Sequence, residues 1–128
     1  MPDAGPFRCT FQPLGGIICL ALSGDLDLAS VATFRAHLAM TARDTEGLLL
    51  DLRDLRYLDS TGINALLDTY RASGPFGRRI ALVGVSPNVR RILSVLNLQP
   101  LMPEFVSVED ALAYLCANGK TDRPLAGD

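Results

Sequence analysis

The sequence lacks tryptophan, has a single histidine, and contains no run of about 18 apolar residues that would span a bilayer. Its first residues lack the basic start and apolar segment of a secretory leader. The net charge is −2, and adjacent arginines occur only at 78–79 and 90–91, so a nucleic-acid partner is not expected. Cys9, Cys19 and Cys116 are odd in number and widely spaced, which predicts small buried thiols in a reducing compartment. Together these features predict a cytoplasmic protein without a membrane partner, a disulfide framework or a zinc site.

A chain of 128 residues with 48% hydrophobic residues is long enough for one domain with a sizeable core. The first six residues include two prolines and a glycine, and residues 118–128 follow an Asn-Gly helix stop. We therefore expect residues 7–117 to fold, between flexible ends at 1–6 and 118–128.

Alternating and continuous apolar segments predict five strands, and stripes with a spacing of three and four residues predict four helices. A turn signal over Pro13–Gly16 joins the first two strands into a hairpin. The predicted order is β-β-α-β-α-β-α-β-α, an α/β fold with a four- to five-stranded mixed sheet. The strands are predicted at 7–12, 17–23, 47–52, 79–84 and 104–106. The first helix is predicted to start near Asp27 or Ser30 and to run for about 14 residues, and the others at about 61–72, 87–96 and 108–117. Ser86, directly before Pro87, and Ser107 are predicted to cap the last two helices. The apolar stripes predict these core residues: Val31, Phe34, Ile63, Leu66, Leu82 and Ile92.

A cluster of capping residues stands between the third strand and the second helix. Asp59, Ser60 and Thr61 all suit the start of a helix, where their side chains accept hydrogen bonds from free backbone N–H groups. Gly62 is expected to keep this turn slim and to let an approaching molecule reach the backbone. A hydroxyl beside the positive end of a helix is a favourable place for a phosphate. Structural capping alone is the simpler interpretation of the same residues.

Two further turns carry acidic or small residues. Asp25 and Asp27 follow the second strand, and they are either metal ligands or, as we favour, capping residues that also solubilise the turn. Loops after parallel strands gather at one edge of a sheet. The turn at 24–27, the approach at 53–59 and the turn at 84–86 are therefore expected to converge.

Three segments together resemble a known family. Leu22–Asp27 resembles its strand-to-helix turn, Leu50–Ile63 its central signature with Asp59-Ser60-Thr61-Gly62, and Leu82–Leu93 its third block. On these motifs the chain is similar to STAS domains of the bacterial anti-sigma factor antagonist type. The resemblance covers about residues 7–117, and it departs from the family pattern at Asn64, where a second glycine is common.

The resemblance implies a partner switch and not an enzyme. The unmodified protein would bind an anti-sigma factor that is also a serine kinase, and so release a sigma factor in a stress response. That kinase would phosphorylate Ser60, the complex would dissociate, and a PP2C-type serine phosphatase would reset the protein. No cofactor or metal is implied, and the protein is expected to be a monomer or a weak homodimer. The partner-binding residues implied are Asp25, Asp27, Asp59, Ser60, Thr61, Gly62 and Asn64.

Other functions stay open at this point. The domain could serve as a STAS subunit of a transporter or of a stress-sensing complex. A receiver domain phosphorylated on Asp51 is a further alternative, although the chain opens with a hairpin instead of a β-α unit. Catalysis by Ser60 has little support, because no Gly-x-Ser-x-Gly turn surrounds it and His37 lies on another predicted helix.

Overall fold

The computed structural model describes residues 6–41, 47–73 and 79–116. They form one five-stranded sheet in the order β1-β2-β3-β4-β5, in which β1 is antiparallel to β2 and the other neighbours are parallel. The predicted fold class and element order are confirmed. The strands are β1 (Arg8–Leu14), β2 (Ile17–Leu26), β3 (Gly47–Leu58), β4 (Arg79–Val83) and β5 (Glu104–Phe105). The helices are α1 (Val31–Thr41), α2 (Ser60–Ser73), α3 (Pro87–Val95) and α4 (Val108–Cys116).

The sheet separates two apolar clusters, because alternate residues of a strand point to opposite faces. The larger cluster receives Phe34 of α1, Leu66 of α2 and Val89 of α3, and the smaller one receives Ala111 and Leu115 of α4. Helices α1, α2 and α3 therefore cover one face, and α4 covers part of the other. Among the described residues, no helix is both long and apolar enough to cross a membrane. The residues predicted for the core are buried or partly buried in the larger cluster: Val31, Phe34, Ile63, Leu66, Leu82 and Ile92.

Strands β2 and β3 extend well beyond their predicted ends at 23 and 52. The register between them shifts at two points, from Ala21 to Ser23 and from Gly24 to Asp25. Such bulges let pairing continue although strict alternation is lost. Gly24 adopts φ +87°, and a Cβ there would lie 3.0 Å from the Cα of Phe7. The prediction that 24–27 ends the strand was therefore wrong.

The caps predicted for the last two helices are present. The Ser86 hydroxyl accepts a hydrogen bond from the Val89 N–H at 3.2 Å, before Pro87 at the start of α3. The Ser107 hydroxyl likewise accepts from the Asp110 N–H at 3.1 Å. The helix stop at 118–119 and both predicted flexible ends, apart from Pro6, lie outside the described residues.

The cysteines do not all behave as predicted. Cys19 is buried and Cys9 packs against the larger cluster, where burial raises the pKa of its thiol to about 11. Cys116 is exposed at the end of α4, so its prediction as a buried residue was wrong. The apolar segment that suggested burial belongs to an amphipathic helix whose core contacts are made by Ala111 and Leu115.

Candidate functional site

Asp59 is the residue that caps α2 at the junction with β3. Its Oδ1 atom accepts hydrogen bonds from the Thr61 N–H at 2.9 Å, the Thr61 hydroxyl at 2.6 Å and the Gly62 N–H at 3.1 Å. Its backbone carbonyl accepts from the Ile63 N–H at 2.9 Å, which is the first hydrogen bond of the helix. Of the three predicted capping residues, Asp59 alone fills this role.

Ser60 is left exposed at the first position of α2. No other group in the described part of the chain forms a hydrogen bond with its hydroxyl. The Thr61 hydroxyl, in contrast, is partly buried and donates to Asp59. The two neighbouring hydroxyls therefore differ in accessibility and in hydrogen bonding, and Ser60 is the one that an enzyme can reach.

The partial positive charge at the N-terminus of α2 is already neutralised by the Asp59 side chain. An anion at a helix N-terminus normally gains from the free N–H groups there. Here those of Thr61 and Gly62 donate to Asp59, and that of Ile63 donates to the carbonyl of the same residue. The expectation that a phosphate on Ser60 would be stabilised by these amides was therefore wrong, because Asp59 uses them.

Gly62 has a different role from the one expected. It is buried, and a Cβ on it would lie 2.7 Å from Leu58 Cδ1 and 2.9 Å from the carbonyl oxygen of Leu26. The glycine therefore lets α2 pack closely against the ends of β2 and β3 and faces away from an approaching molecule. Its role in partner binding stays a prediction.

The turn after β2 lies directly beside Asp59. The Asp59 N–H donates to the Leu26 carbonyl at 3.2 Å. Asp27 Oδ1 accepts from the Ala29 N–H at 3.1 Å, and the Ser30 hydroxyl donates to the Asp25 carbonyl at 2.7 Å. These contacts match the capping interpretation of Asp27, and no group of three His, Cys, Asp or Glu residues suited to a metal occurs among 6–41, 47–73 and 79–116.

The structure brings the segments expected to converge into contact along the 53–59 approach. The turn at 24–27 meets the end of this approach at Asp59, and Asn64 is exposed one helical turn beyond Ser60. The turn at Gly84 meets the beginning of the same approach at Arg53, whose Cγ would lie 1.9 Å from a Cβ on that glycine.

The sequence analysis missed two residues of this edge. Ser30 is buried and fixes the turn by accepting from the Asp27 N–H at 3.0 Å while donating to Asp25. Leu28 is 74% exposed, and its backbone N–H is among the groups that lower the pKa of the Asp59 carboxylate. An Asp followed three residues later by Ser was an available sign of the turn, whereas an exposed leucine has no signature in sequence.

Asp51, the residue of the receiver alternative, is paired within its own strand. Arg53 donates to both of its carboxylate oxygens, at 3.0 and 2.6 Å. Burial alone would raise the pKa of Asp51, but the hydrogen bonds and charge of Arg53 outweigh it and lower that pKa. The carboxylate that would have to accept a phosphoryl group is thus held by a guanidinium.

Replacing Asp59 with Asn should reduce the dependence of stability on acid pH. The Thr61 hydroxyl and the backbone N–H groups of Gly62, Thr61 and Leu28 hold the pKa of Asp59 below its usual value. The folded state thus binds this proton less tightly than the unfolded chain, so the stabilisation is complete above about pH 4 and is lost as pH falls through the folded-state pKa. Denaturant unfolding of both proteins at several pH values across this range measures how the free energy of unfolding depends on pH.

The difference in the free energy of unfolding between the native chain and Asp59→Asn should be largest near neutral pH and shrink in acid. Ser60→Ala, which changes the neighbouring residue without removing a titrating group, is the control and should follow the native curve. A constant difference at all pH values would contradict the assigned role of the Asp59 carboxylate.

Comparison with known proteins places this geometry in context. A model of the STAS domain family matches residues 10–111. The chain is 30% identical over 102 residues to the anti-sigma F factor antagonist of Paenibacillus polymyxa, which covers 78% of this chain and 87% of that protein.

Solved structures show the same fold. The unphosphorylated form of the anti-sigma factor antagonist SpoIIAA has a TM-score of 0.74 at 23% identity, covering 86% of this chain and 97% of that one. The phosphorylated form of SpoIIAA from Bacillus has a TM-score of 0.67 at 22% identity, with 84% and 99% covered. The murine anion transporter Slc26a9 has a TM-score of 0.69 at 24% identity, and the match covers 84% of this chain but only 19% of the transporter.

Proposed function

The chain belongs to the STAS domain family, and from that premise we propose that it is an anti-sigma factor antagonist controlled by phosphorylation of Ser60. In the unmodified state it binds an anti-sigma factor that is also a serine kinase, and so releases a sigma factor. A PP2C-type serine phosphatase removes the phosphate and restores binding. The proposal is for a regulatory binding protein of the cytoplasm, without catalytic activity of its own.

The observation that carries the proposal is the contrast between two adjacent hydroxyls. Ser60 is exposed and, within the described residues, without a hydrogen-bond partner, whereas Thr61 is tied to Asp59 at 2.6 Å. A kinase needs the accessible hydroxyl. That SpoIIAA has been solved in phosphorylated and unphosphorylated forms supports a switch of this kind in the family.

The surroundings of Ser60 supply the partner surface that we propose. Asp25, Asp27 and Asn64 lie at the same edge, and they offer carboxylate and amide groups to basic or polar residues of the anti-sigma factor. Leu28, at 74% exposure, adds an apolar contact beside Asp27. An apolar anchor within a polar rim is the usual anatomy of a specific interface.

A phosphate on Ser60 would act through its charge. It adds about −1.5 to −2 charges at neutral pH. Asp59 has already used the N–H groups that would have neutralised it, and Asp59 itself is an adjacent negative charge. The phosphate therefore stays unpaired at the surface, and a docked partner would have to desolvate it. The fold of the protein need not change for the complex to dissociate.

Incubation with a cognate anti-sigma kinase and ATP should place one phosphate on Ser60. Mass spectrometry of the proteolysed protein identifies the residue. Ser60→Ala should incorporate no phosphate and should stay bound to the kinase. Thr61→Ala is the matched control one residue away, and it should still be phosphorylated on Ser60.

Phosphate on Thr61, or incorporation into Ser60→Ala at the native rate, would contradict the proposal. The same assay addresses the alternative of a subunit in a transporter or stress-sensing complex. In that case the unmodified protein would bind other components and would not be captured by an anti-sigma kinase. The oligomeric state, monomer or weak homodimer, stays a prediction that sedimentation can test.

A further inference from the structure

The sheet face that carries α4 is covered at only one end. The smaller apolar cluster under α4 includes Ile17, Cys19 and Leu49, which lie at the beginnings of β2 and β3. Toward the other ends of these strands lies an open concavity of about 500 Å³, lined by residues of β1, β2 and β3 together with Pro6. No residue of α4 lines it, so this region is separate from the helix-covered part of the face.

The strand register brings the polar residues of this concavity together. Arg8 of β1 is paired with Ser23 of β2, and Ser23 is paired with Asp54 of β3. Directly paired residues of neighbouring strands point to the same side of a sheet. Cys9 packs into the larger cluster on the opposite face, so Arg8 faces the concavity.

The bulge in β3 adds a second arginine. Leu52 and Leu55 both reach the larger cluster although they are three residues apart, so the residues between them are turned outward. Arg56 follows Leu55 on the outward side, and it lines the concavity with Arg53 and Asp54. The irregular strand β3 thus supplies two guanidinium groups, which share one depression with Arg8 of β1.

The charges of this depression are not balanced. Arg53 forms an ion pair with Asp51 at 2.6 Å, and Asp54 is the carboxylate that lines the concavity together with three arginines. In the described part of the chain, the side chains of Arg8 and Arg56 form neither an ion pair nor a hydrogen bond. A site with excess positive charge stands out in a chain whose net charge is −2.

We propose that Arg8 and Arg56, with the hydroxyl of Ser23, form a binding site for an anion that carries a phosphate group. The planar guanidinium fork matches the oxygens of phosphate and forms charge-assisted hydrogen bonds with them. The volume is within the range of pockets for small molecules. A compact anion is favoured over an acidic protein segment, because Asp54 lines the same concavity and would repel an extended acidic chain laid across it.

The site differs from the proposed phosphorylation site in its face of the sheet and in its residues. Ser60 begins α2, which covers the face of the larger cluster, whereas Arg8 and Ser23 point to the face of α4. Loss of anion binding should therefore leave the phosphorylation of Ser60 unchanged. This separation allows each proposal to fail without the other.

Titration of the full chain with inorganic phosphate and with ATP, followed by calorimetry or by NMR of the arginine side chains, tests the proposal. We expect saturable binding that weakens about tenfold in Arg56→Gln and further in the double variant Arg8→Gln/Arg56→Gln. Arg91→Gln, which removes an exposed arginine of α3, is the control and should bind within about twofold of the native chain. Tighter binding of ATP than of phosphate would identify a nucleotide as the ligand, and equal binding would identify free phosphate.

If the native chain shows saturable binding of neither phosphate nor ATP, the proposal is overturned, and no variant is needed for that conclusion. Unchanged affinity in Arg56→Gln would also overturn it, and this variant is expected to fold because Arg56 is exposed. A native circular dichroism spectrum and a native midpoint of denaturant unfolding verify that the variants are folded. Binding of a polyglutamate peptide in the absence of phosphate or ATP binding would assign the surface to an acidic protein and would likewise overturn the proposal.

Discussion

Phosphorylation of Ser60 is expected to weaken the binding of the anti-sigma factor about 150-fold, which corresponds to a loss of about 3 kcal/mol. The loss arises because a dianion enters an interface that already contains the Asp59 carboxylate. The Thr61 and Gly62 N–H groups cannot compensate, since both donate to Asp59. Binding of the native, the phosphorylated and the Ser60→Asp proteins to an immobilised anti-sigma factor measures the effect.

A neutral variant separates charge from shape in this experiment. Ser60→Asp introduces one negative charge and should lose at least about tenfold in affinity for the anti-sigma factor. The Asn side chain has nearly the same volume as Asp but no charge, so Ser60→Asn should stay within about threefold of the affinity of the native protein. The difference should decrease at high salt because exposed charges are screened. If the two variants lose affinity equally, the effect is steric and the charge mechanism is wrong.

Gly62→Ala is expected to destabilise the protein by about 2 kcal/mol. Overpacking of a buried site costs about 1–3 kcal/mol, and the upper end applies because the Leu26 carbonyl oxygen, 2.9 Å from the added Cβ, is backbone and has no rotamer to adopt. The higher helix propensity of alanine returns at most about 1 kcal/mol. Denaturant unfolding of the two proteins gives the difference.

The same substitution should also slow the phosphorylation of Ser60. The Asp59 N–H donates to the Leu26 carbonyl, so a shift of α2 away from Leu26 displaces Asp59 and the hydroxyl beside it. Asn64→Ala, an exposed position on the same helix, is the control for stability only, and it should gain a few tenths of a kcal/mol in the free energy of unfolding. Stability equal to that of the native protein in Gly62→Ala would contradict the close packing assigned to Gly62.

The fold could be predicted well because its signals are local. Apolar stripes in α2 and α3, the Ser86-Pro87 start and the Gly15-Gly16 turn each involve residues close in sequence, and each was confirmed. The ends of β2 and β3 could not be predicted in this way. Their final residues pair across bulges, so Leu52, Leu55 and Leu58 enter the core at intervals of three instead of two.

The sequence located the candidate site, but it did not determine the role of each residue in it. Asp59, Ser60 and Thr61 are all chemically able to cap a helix, and their order along the chain does not decide which of them does so. The assignment depends on the direction in which β3 delivers each side chain, which is a property of the packed sheet. Leu28 could not have been found, because its proximity to Asp59 comes from the pairing of β2 with β3.

The sequence by itself determined the order of the elements, the composition of the core and the presence of a hydroxyl pair at a strand–helix junction, because periodicity and capping chemistry act over a few neighbouring residues. Only the tertiary structure decided that Asp59 caps the helix, that Ser60 is left accessible, and that Arg8 and Arg56 share one concavity. Those outcomes depend on strand register and on bulges, which bring together residues far apart in the chain and set the direction of each side chain.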